Sequence, residues 1–423
     1  MLHNHATTII KQVIADNMPQ KSVNDALCTH NFNSYSIYVV AIGKAAWTMA
    51  SVAHSCLGNR IKKGIVITKY GHSMGKIPNM TICEAGHPIL DENTVVATKK
   101  ALALVENLGQ DDEVLFLVSG GGSALFEAPM DGIELKDLAG LSDDLLASGA
   151  DIIEINTVRK RLSKVKAGRF AELVSPAKIF SIVLSDVLGD RLDTIASGPA
   201  AVDNTTSHDA LYLVEKYGLK LNQLQMDYLM RETPKTLNNV ETRIIGSVRS
   251  LCESVAASAK HLGFTPYIIT TTLNCEAASA GMFLASIARD IKSTSNSDNA
   301  THEGTYFKRP CAIIAGGETI VKLTGKGKGG RNQELALSAA RGIAGLSDIL
   351  IFSIGSDGTD GPTDAAGGIV DGETMEKLVA KGYSINKILA KNDSYNGLLA
   401  ADGLIKTGPT GTNVNDVAVV LCV

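Results

Sequence analysis

The sequence predicts an α/β protein of two domains, the first built on a mostly parallel, helix-covered sheet, and three observations predict it. Short β-branched apolar runs alternate with helix-period segments along the chain, which is how successive βαβ units read in sequence. The chain has 423 residues, more than one hydrophobic core usually holds, so two domains of roughly 200 residues each are expected. The hydrophobic fraction of 45%, the charged fraction of 20% and only 11 prolines are the balance of an ordinary folded chain, not a disordered or fibrous one.

Taken in order, the runs 37–42, 65–68, 80–83, 114–118 and 179–184 are strand-sized, too short for helices and apolar enough for strands covered on both faces. Segments 45–57, 94–108 and 157–174 between them carry helical periodicity. A second set of strands follows Arg243, at 244–245, 267–270, 311–315, 349–354 and 417–421, again alternating with helices. The polar break Thr233-Pro234-Lys235-Thr236 with Asn238-Asn239 sets the boundary near residue 240, giving domains 1–240 and 241–423. Residues 293–304 read as a surface loop within the second domain. No fixed-period repeat is present, which excludes solenoids and propellers.

Forty basic residues against 44 acidic ones leave a formal charge of -4, which argues against a polybasic binder of nucleic acid or anionic membrane. The seven cysteines are dispersed and never form a CxxC pair, as expected of reduced thiols in the cytoplasm and not of a zinc site. The first 19 residues lack the apolar core of a signal peptide. No apolar run approaches the ~20 residues needed to span a bilayer. A soluble, cytoplasmic protein is expected.

In open α/β sheets ligands sit beyond the carboxyl ends of strands, and here those turns are rich. The first strand ends in Gly43-Lys44-Ala45-Ala46, which places the Lys44 ammonium at a strand-to-helix turn. The fourth ends in Ser119-Gly120-Gly121-Gly122-Ser123, where successive backbone N–H groups can converge on an anion such as phosphate. The fifth ends in Ser185-Asp186-Val187-Leu188-Gly189-Asp190, making Asp186 and Asp190 candidates for a metal or for the attacking hydroxyl. The second domain offers Gly316-Gly317-Glu318-Thr319 and the run SDGTDGPTDAAGG with Asp357, Asp360 and Asp364. Hard oxygen ligands on a turn suit Mg²⁺, which takes one or two carboxylates beside phosphates and water. Residues 325–332 join Gly325, Lys326, Gly327, Lys328, Gly329, Gly330, Arg331 and Asn332 ahead of a helix pattern, and read as a flexible phosphate clamp. The cationic stretch Arg159-Lys160-Arg161 with Lys164, Lys166 and Arg169 reads either as a nucleic-acid contact or, more commonly, as a solvated helix face with one or two members turned toward an anionic substrate. His72 and His87 lie in turns without a zinc or Ser/His/Asp arrangement. No GxxxxGK[ST] occurs, so a P-loop nucleotidase is excluded, as are the protein-kinase motifs.

Taken together and in order, VVAIGKAAWTMA, GHPILDENT, VSGGGSALFEAP, INTVRKRLSKVKAG, LSDVLGDRLDTIASGPA, AGGETIVKLTGKGKGGRNQELAL, SIGSDGTDGPTDAAGG and TGPTGTNVNDV resemble the glycerate 2-kinases of the MOFRL type. The resemblance implies a Rossmann-like N-terminal domain, a MOFRL-type α/β C-terminal domain and an active site in the interdomain cleft. It implies transfer of the γ-phosphoryl of ATP, with Mg²⁺, to the 2-hydroxyl of glycerate. Lys44 and Arg331 are then the prime catalytic cations, with Asp186 or a nearby carboxylate orienting the hydroxyl. Ser119 to Ser123, Glu318, Lys326, Lys328, Gly329, Gly330 and Asn332 are expected to bind substrate or phosphate, and Asp357, Asp360 and Asp186 to hold the metal. Expected partners are the small molecules glycerate and ATP, with no nucleic acid and no membrane; a homodimer is compatible with the pattern. One departure is Val248, where the family often carries asparagine. Two readings compete: a nicotinamide-dependent hydroxypyruvate reductase, which lacks a strand, GxGxxG and downstream acid in register, and a non-catalytic metabolite-binding protein on the same fold.

Overall fold

The computed structural model describes residues 1–185, 189–294 and 307–423. The chain divides into two compact units, Pro19–Ile245, and Met1–Met18 together with Gly246–Val423. The single cut into 1–240 and 241–423 therefore needs amending. The helix Leu2–Asp16 places Ala6, Ile9, Ile10 and Val13 on one stripe, and that stripe packs on the helix Val248–His261, so the first residues of the chain belong to the later unit. A linear reading cannot anticipate this, because an amphipathic stripe says what is buried and not against what.

The unit Pro19–Ile245 is built on β1 (Ile37–Ile42), β2 (Ile61–Lys69), β3 (Met80–Ala85), β4 (Glu113–Val118), β5 (Lys178–Leu184) and β6 (Val240–Gly246). The order is β3-β2-β1-β4-β5-β6, and the first four pairings across the sheet are all parallel. That is the Rossmann order, with its switch point between β1 and β4. Both of those strands are buried along their whole length. Below the switch point Phe116, Phe126 and Phe170 pack with ring centroids 4.7 to 6.1 Å apart. The pair Ile244-Ile245, expected in the second sheet, closes this one as part of β6. A smaller core of Leu138, Leu141, Leu145, Leu213 and Leu229 joins helices Leu135–Ala147, Ile152–Arg159, Ser207–Tyr217 and Gln223–Met230.

The helix expected over 157–174 is broken. Helix Ile152–Arg159 passes into a 3₁₀ turn at Lys160–Leu162. Ala167 and Gly168 then take positive φ of 55° and 81° before Arg169–Val174. Nor is it a solvated cationic face: Lys160, Arg161 and Lys166 are buried. Helical periodicity survives in the sequence because both short helices present apolar residues inward, while the turn between them is closed by tertiary hydrogen bonds.

The other unit carries β7 (Thr265–Leu273), β8 (Cys311–Gly317), β9 (Ile349–Gly355), β10 (Gly367–Asp371), β11 (Leu404–Ile405) and β12 (Asp416–Cys422). Their order is β11-β10-β9-β12-β8-β7. Only β7 and β8 pair in parallel; β12 runs antiparallel between β8 and β9, and β10 and β11 are antiparallel to their neighbours. β10 and β11 were not expected from sequence, since Gly367-Gly368 reads as a loop and Leu404–Ile405 is too short to signal a strand. The core forms where helix Arg331–Gly342 lays Leu335, Ala336, Leu337 and Ala340 on Ile313, Ile351 and Val420. All seven cysteines are free. Among the described residues no helix is long and apolar enough to cross a membrane.

Candidate active site

At the switch point of the first unit, β1 and β4 end side by side, with Ile42 opposite Val118. The chain then bends sharply: Ser119 N donates to Ile42 O at 3.0 Å, Lys44 N to Gly120 O at 2.9 Å and Ala45 N to Ser119 Oγ at 3.0 Å. Gly43 makes this possible, because it sits at φ +111° and any Cβ there would lie 2.3 Å from Ser119 Oγ. The bend delivers Lys44 onto the carboxyl end of the sheet. Its ammonium has no ion-pair or hydrogen-bond partner among the described residues. His72 Nδ1 lies 3.3 Å from the Lys44 carbonyl. His87 packs so close to Gly121 that an added Cβ would be 2.9 Å from its ring. Burial, with the charges of Lys44 and Lys69 nearby, holds the His87 imidazole below its ordinary value.

The SGGGS turn opens a helix of one turn only, Gly122–Leu125, so little macrodipole stands behind it. The N–H groups of Gly120 and Gly121 donate to nothing among the described residues. Beside them Ser123 Oγ lies 2.8 Å from Ser197 Oγ, and Ser197 Oγ donates to Asn156 Oδ1 at 3.4 Å. Lys166 Nζ donates to Ser123 O at 2.8 Å and lies 3.6 Å from Glu127. Burial pushes Lys166 down to about 8, against the pull of Glu127. Ser197 belongs to a strained turn in which Ala196, Ser197 and Gly198 all take positive φ, at 51°, 62° and 66°. Each non-glycine residue there costs about 1–2 kcal/mol. Ala167 N on Ser197 O at 3.1 Å and Gly168 N on Gly198 O at 2.7 Å hold the turn. Such strain concentrates where a side chain must be aimed.

In the other unit the antiparallel insertion of β12 decides the site. Asp416, its first residue, pairs with Gly317 at the end of β8 and with Gly355 at the end of β9. Three turns thus meet at one edge, and Arg331 is tied across them. Arg331 Nε and Nη2 donate to the two oxygens of Asp416 at 2.5 and 3.2 Å, and Nη1 donates to Glu318 at 2.8 Å. Burial works against the Arg331 charge, but Asp416 and Glu318 outweigh it and hold the guanidinium more firmly protonated than a free arginine. Burial pushes Asp416 up to about 6, although Arg331 resists. Oxygens of Asp416 and Asp357 lie 3.3 and 3.4 Å from the same point beside Gly355, so the carboxylates are neighbours.

The three aspartates of SDGTDGPTDAAGG separate in role. Asp357 is partly exposed and takes one N–H, from Thr359 at 2.9 Å. Asp360 is buried and caps helix Arg331–Gly342, accepting from the amides of Asn332 at 3.2 Å and Gln333 at 2.9 Å and from both of their side chains. Burial raises its carboxyl, with those donors opposing. Asp364 is exposed and engaged by Lys406 at 2.8 Å and Tyr395 at 2.7 Å, which hold it down at about 2.

Residues 325–330 are pinned and not flexible. Gly327 N donates to Lys391 O at 2.8 Å, Lys328 N to Asp393 Oδ1 at 2.9 Å, and Gly325 N to Asn392 Oδ1 at 2.8 Å. The glycines are there for close approach: a Cβ on Gly325 would lie 2.3 Å from the Lys391 backbone. Lys328 spreads over the Tyr395 ring at 4.0 Å. Lys326 is exposed. We expect Gly325→Ala to destabilise this unit by about 1–3 kcal/mol through overpacking against backbone that cannot yield; an unchanged urea midpoint would show the segment to be loosely held.

Lys44 and the Ser119 to Ser123 turn are thus brought together in one unit, and Arg331, Glu318, Asp357, Asp360 and Asn332 in the other. Asp186 lies outside the described residues. Asp190 is described, at φ 53°. Sequence reasoning missed Asp416, Ser197 and Asn156 as members of these clusters, and named His87 only as a turn residue of structural, substrate-contact or catalytic role. Asp416 begins its strand, and a search of strand ends finds it only if the strand is known to be antiparallel.

The sequence matches two family models, DUF4147 (domain of unknown function) over residues 5–230 and the MOFRL family over residues 311–416. It is 51% identical over 418 residues to the D-glycerate 2-kinase of Thermotoga maritima, covering 99% of this chain and 98% of the relative. It is 44% identical to the glycerate 2-kinase of Pyrococcus horikoshii, covering 91% and 87% of the two chains. An Agrobacterium vitis relative, 38% identical over 90% of this chain, is provisionally named a hydroxypyruvate reductase. Among solved structures, the Thermotoga maritima glycerate kinase superposes with a TM-score of 0.94 at 50% identity, covering 100% of this chain and 99% of that one.

Proposed function

The chain belongs to the glycerate 2-kinase family, with its DUF4147 and MOFRL segments in one polypeptide, and from that premise we propose how its residues perform the reaction. It is a kinase that transfers the γ-phosphoryl of ATP to the 2-hydroxyl of glycerate. The hydroxyl oxygen bonds to phosphorus and gives up its proton, the bond from the bridging oxygen to the γ-phosphorus breaks, and 2-phosphoglycerate and ADP leave. The observation that carries this reading is the match to a D-glycerate 2-kinase over nearly the whole of both chains. The D-enantiomer of glycerate is the acceptor we propose.

Phosphoryl transfer needs little covalent help from a protein; positioning and charge neutralisation supply most of the rate. Lys44, whose ammonium has no partner among the described residues, is the proposed donor of charge to a phosphoryl oxygen. Arg331, fixed on Asp416 and Glu318, presents the rest of its fork without having to be ordered first. In the first unit the amides of Gly120 and Gly121, which donate to nothing among the described residues, are the proposed phosphate donors, whereas the Ser119 hydroxyl is spent on Ile42 O and Ala45 N; in the other unit Lys326 carries exposed charge on the pinned 325–330 segment. Lys328, Gly329, Gly330 and Asn332 shape that pinned segment, with Lys328 over the Tyr395 ring and Asn332 bonded to Asp360. Asp186 remains the proposed residue for orienting the attacking hydroxyl.

Among the described residues no three His, Cys, Asp or Glu side chains converge as a metal cage. Mg²⁺ does not require one, since it is commonly held by one or two carboxylates together with phosphates and water. Asp357 fits, being partly exposed with one oxygen bound by Thr359 N. Asp360 fits poorly, because both its oxygens are taken by Asn332 and Gln333. When bound, the ion supplies charge neutralisation across the phosphates. A coupled assay of ADP release with ATP, Mg²⁺ and D-glycerate tests the reading directly: turnover is expected with glycerate and lost with EDTA. Oxidation of a reduced nicotinamide by hydroxypyruvate, with no ADP formed from glycerate, would replace it with the reductase reading.

A further inference from the structure

Six cations fall within residues 159–169, and five of them are satisfied inside the protein. Lys160 lies 3.7 Å from Asp203, Lys164 2.5 Å from Asp131 and Lys166 3.6 Å from Glu127. Arg161 donates to the carbonyls of Arg231 and Thr205, at 2.8 and 3.0 Å. Arg169 donates to those of Lys160 and Ser163, at 2.7 and 3.1 Å. Arg159 alone has no hydrogen-bond acceptor and no carboxylate in reach among the described residues, although its Nε is closed off from solvent. A guanidinium carries five donors and cannot shed its charge. Leaving it half-buried and unpaired is unfavourable unless an anion arrives.

Its place in the fold says which anion. Arg159 ends helix Ile152–Arg159, one turn after Asn156, whose Oδ1 accepts from Ser197. Ser197 in turn touches Ser123 of the glycine-rich turn at 2.8 Å. The Arg159 charge is felt at Lys166, whose ammonium lies 3.4 Å from Ser123 Oγ. The neighbouring cations Lys160 and Lys166 already have Asp203 and Glu127 within 4 Å, whereas no carboxylate among the described residues pairs with Arg159. A planar fork suits a carboxylate, which it can bind through two parallel bonds. Neutral hydroxyls alongside suit an alcohol next to that carboxylate.

We propose that Arg159 recognises the carboxylate of the hydroxy-acid acceptor, with the Ser123 and Ser197 hydroxyls and the Asn156 amide facing the carbon that carries the hydroxyl. This rests on the glycerate kinase reading and names the group that selects an acid over a plain polyol.

The test compares wild type with Arg159→Gln and Arg159→Lys, using D-glycerate and, as an acceptor without a carboxylate, glycerol. In Arg159→Gln, kcat/KM for glycerate falls by about 100-fold or more, because a polar site that loses its partner discriminates strongly. The KM for ATP stays within about twofold while the KM for glycerate rises, and any transfer to glycerol, which offers no carboxylate, is no lower than in wild type, so the preference for the acid collapses. Arg159→Lys recovers part of the loss. The thermal midpoint of Arg159→Gln is no lower than that of wild type, since the Arg159 side chain makes no hydrogen bond or ion pair among the described residues and its unpaired charge is removed. An unchanged KM for glycerate, or equal rises in both KM values, overturns the assignment while the kinase reading stands. A wild-type enzyme that transfers nothing to glycerate overturns both.

Discussion

Arg331→Ala is expected to lower kcat by about 10³- to 10⁵-fold, the range over which an arginine that neutralises a transferring phosphoryl group acts. The expectation follows from how the side chain is held. Two bonds to Asp416 and one to Glu318 fix the guanidinium plane before substrate binds, so its charge contributes without reorganisation. Arg331→Lys should recover little, because an ammonium cannot span Asp416 and Glu318 and still face a phosphate. Steady-state ADP release at saturating ATP and glycerate measures the effect; a loss under tenfold would remove Arg331 from the chemistry. The variant also strands a buried carboxylate, which can lower stability, so the thermal midpoint must be read beside the rate. The ion pair carries a pH signature as well. Asp416, raised to about 6 by burial against the pull of Arg331, must be ionised to brace the guanidinium. Wild-type kcat should therefore fall as pH drops through about 6, and Asp416→Asn should be slow at neutral pH and lack that acid limb.

Lys44→Ala is expected to cost about 10²- to 10³-fold in kcat, the usual loss when one fixed donor to a developing charge is removed. Here stability is not confounded. The ammonium has no partner among the described residues, and Lys44 is held through its backbone, by Gly120 O at 2.9 Å. A surface substitution of that kind usually stays within about 0.5 kcal/mol. The expected result is a well-folded enzyme with an unchanged thermal midpoint that scarcely turns over. Wild-type kcat would show that the switch-point lysine is bystander to the transfer.

Much of the fold was legible because burial writes a period into sequence. The strands at 37–42, 114–118 and 311–315 announce themselves as short apolar runs, and the structure extends them by at most two residues. Helix Arg331–Gly342 was legible in the same way. What failed were elements whose existence depends on a distant partner. β10 begins at Gly367-Gly368 and is a strand because β9 pairs with it. Segment 157–174 looks like one helix and is two, since its cations are drawn inward to Asp203, Glu127 and backbone carbonyls that lie far away in sequence.

The site divides along the same line. Composition and local order determined that glycine-rich turns with charged residues end the strands, since a backbone that must approach a partner closely leaves no room for a side chain. Lys44, the SGGGS turn, Arg331 and Asp357 are singled out as candidates in that way. Only the tertiary structure decided that β12 enters antiparallel, which sets Asp416 opposite Arg331, that Asp360 caps a helix, and that Arg159 is the one cation of its cluster without a partner among the described residues. Strand direction and charge pairing are long-range facts, and they depend on which surfaces meet once the chain has collapsed, a property that no local window of residues contains.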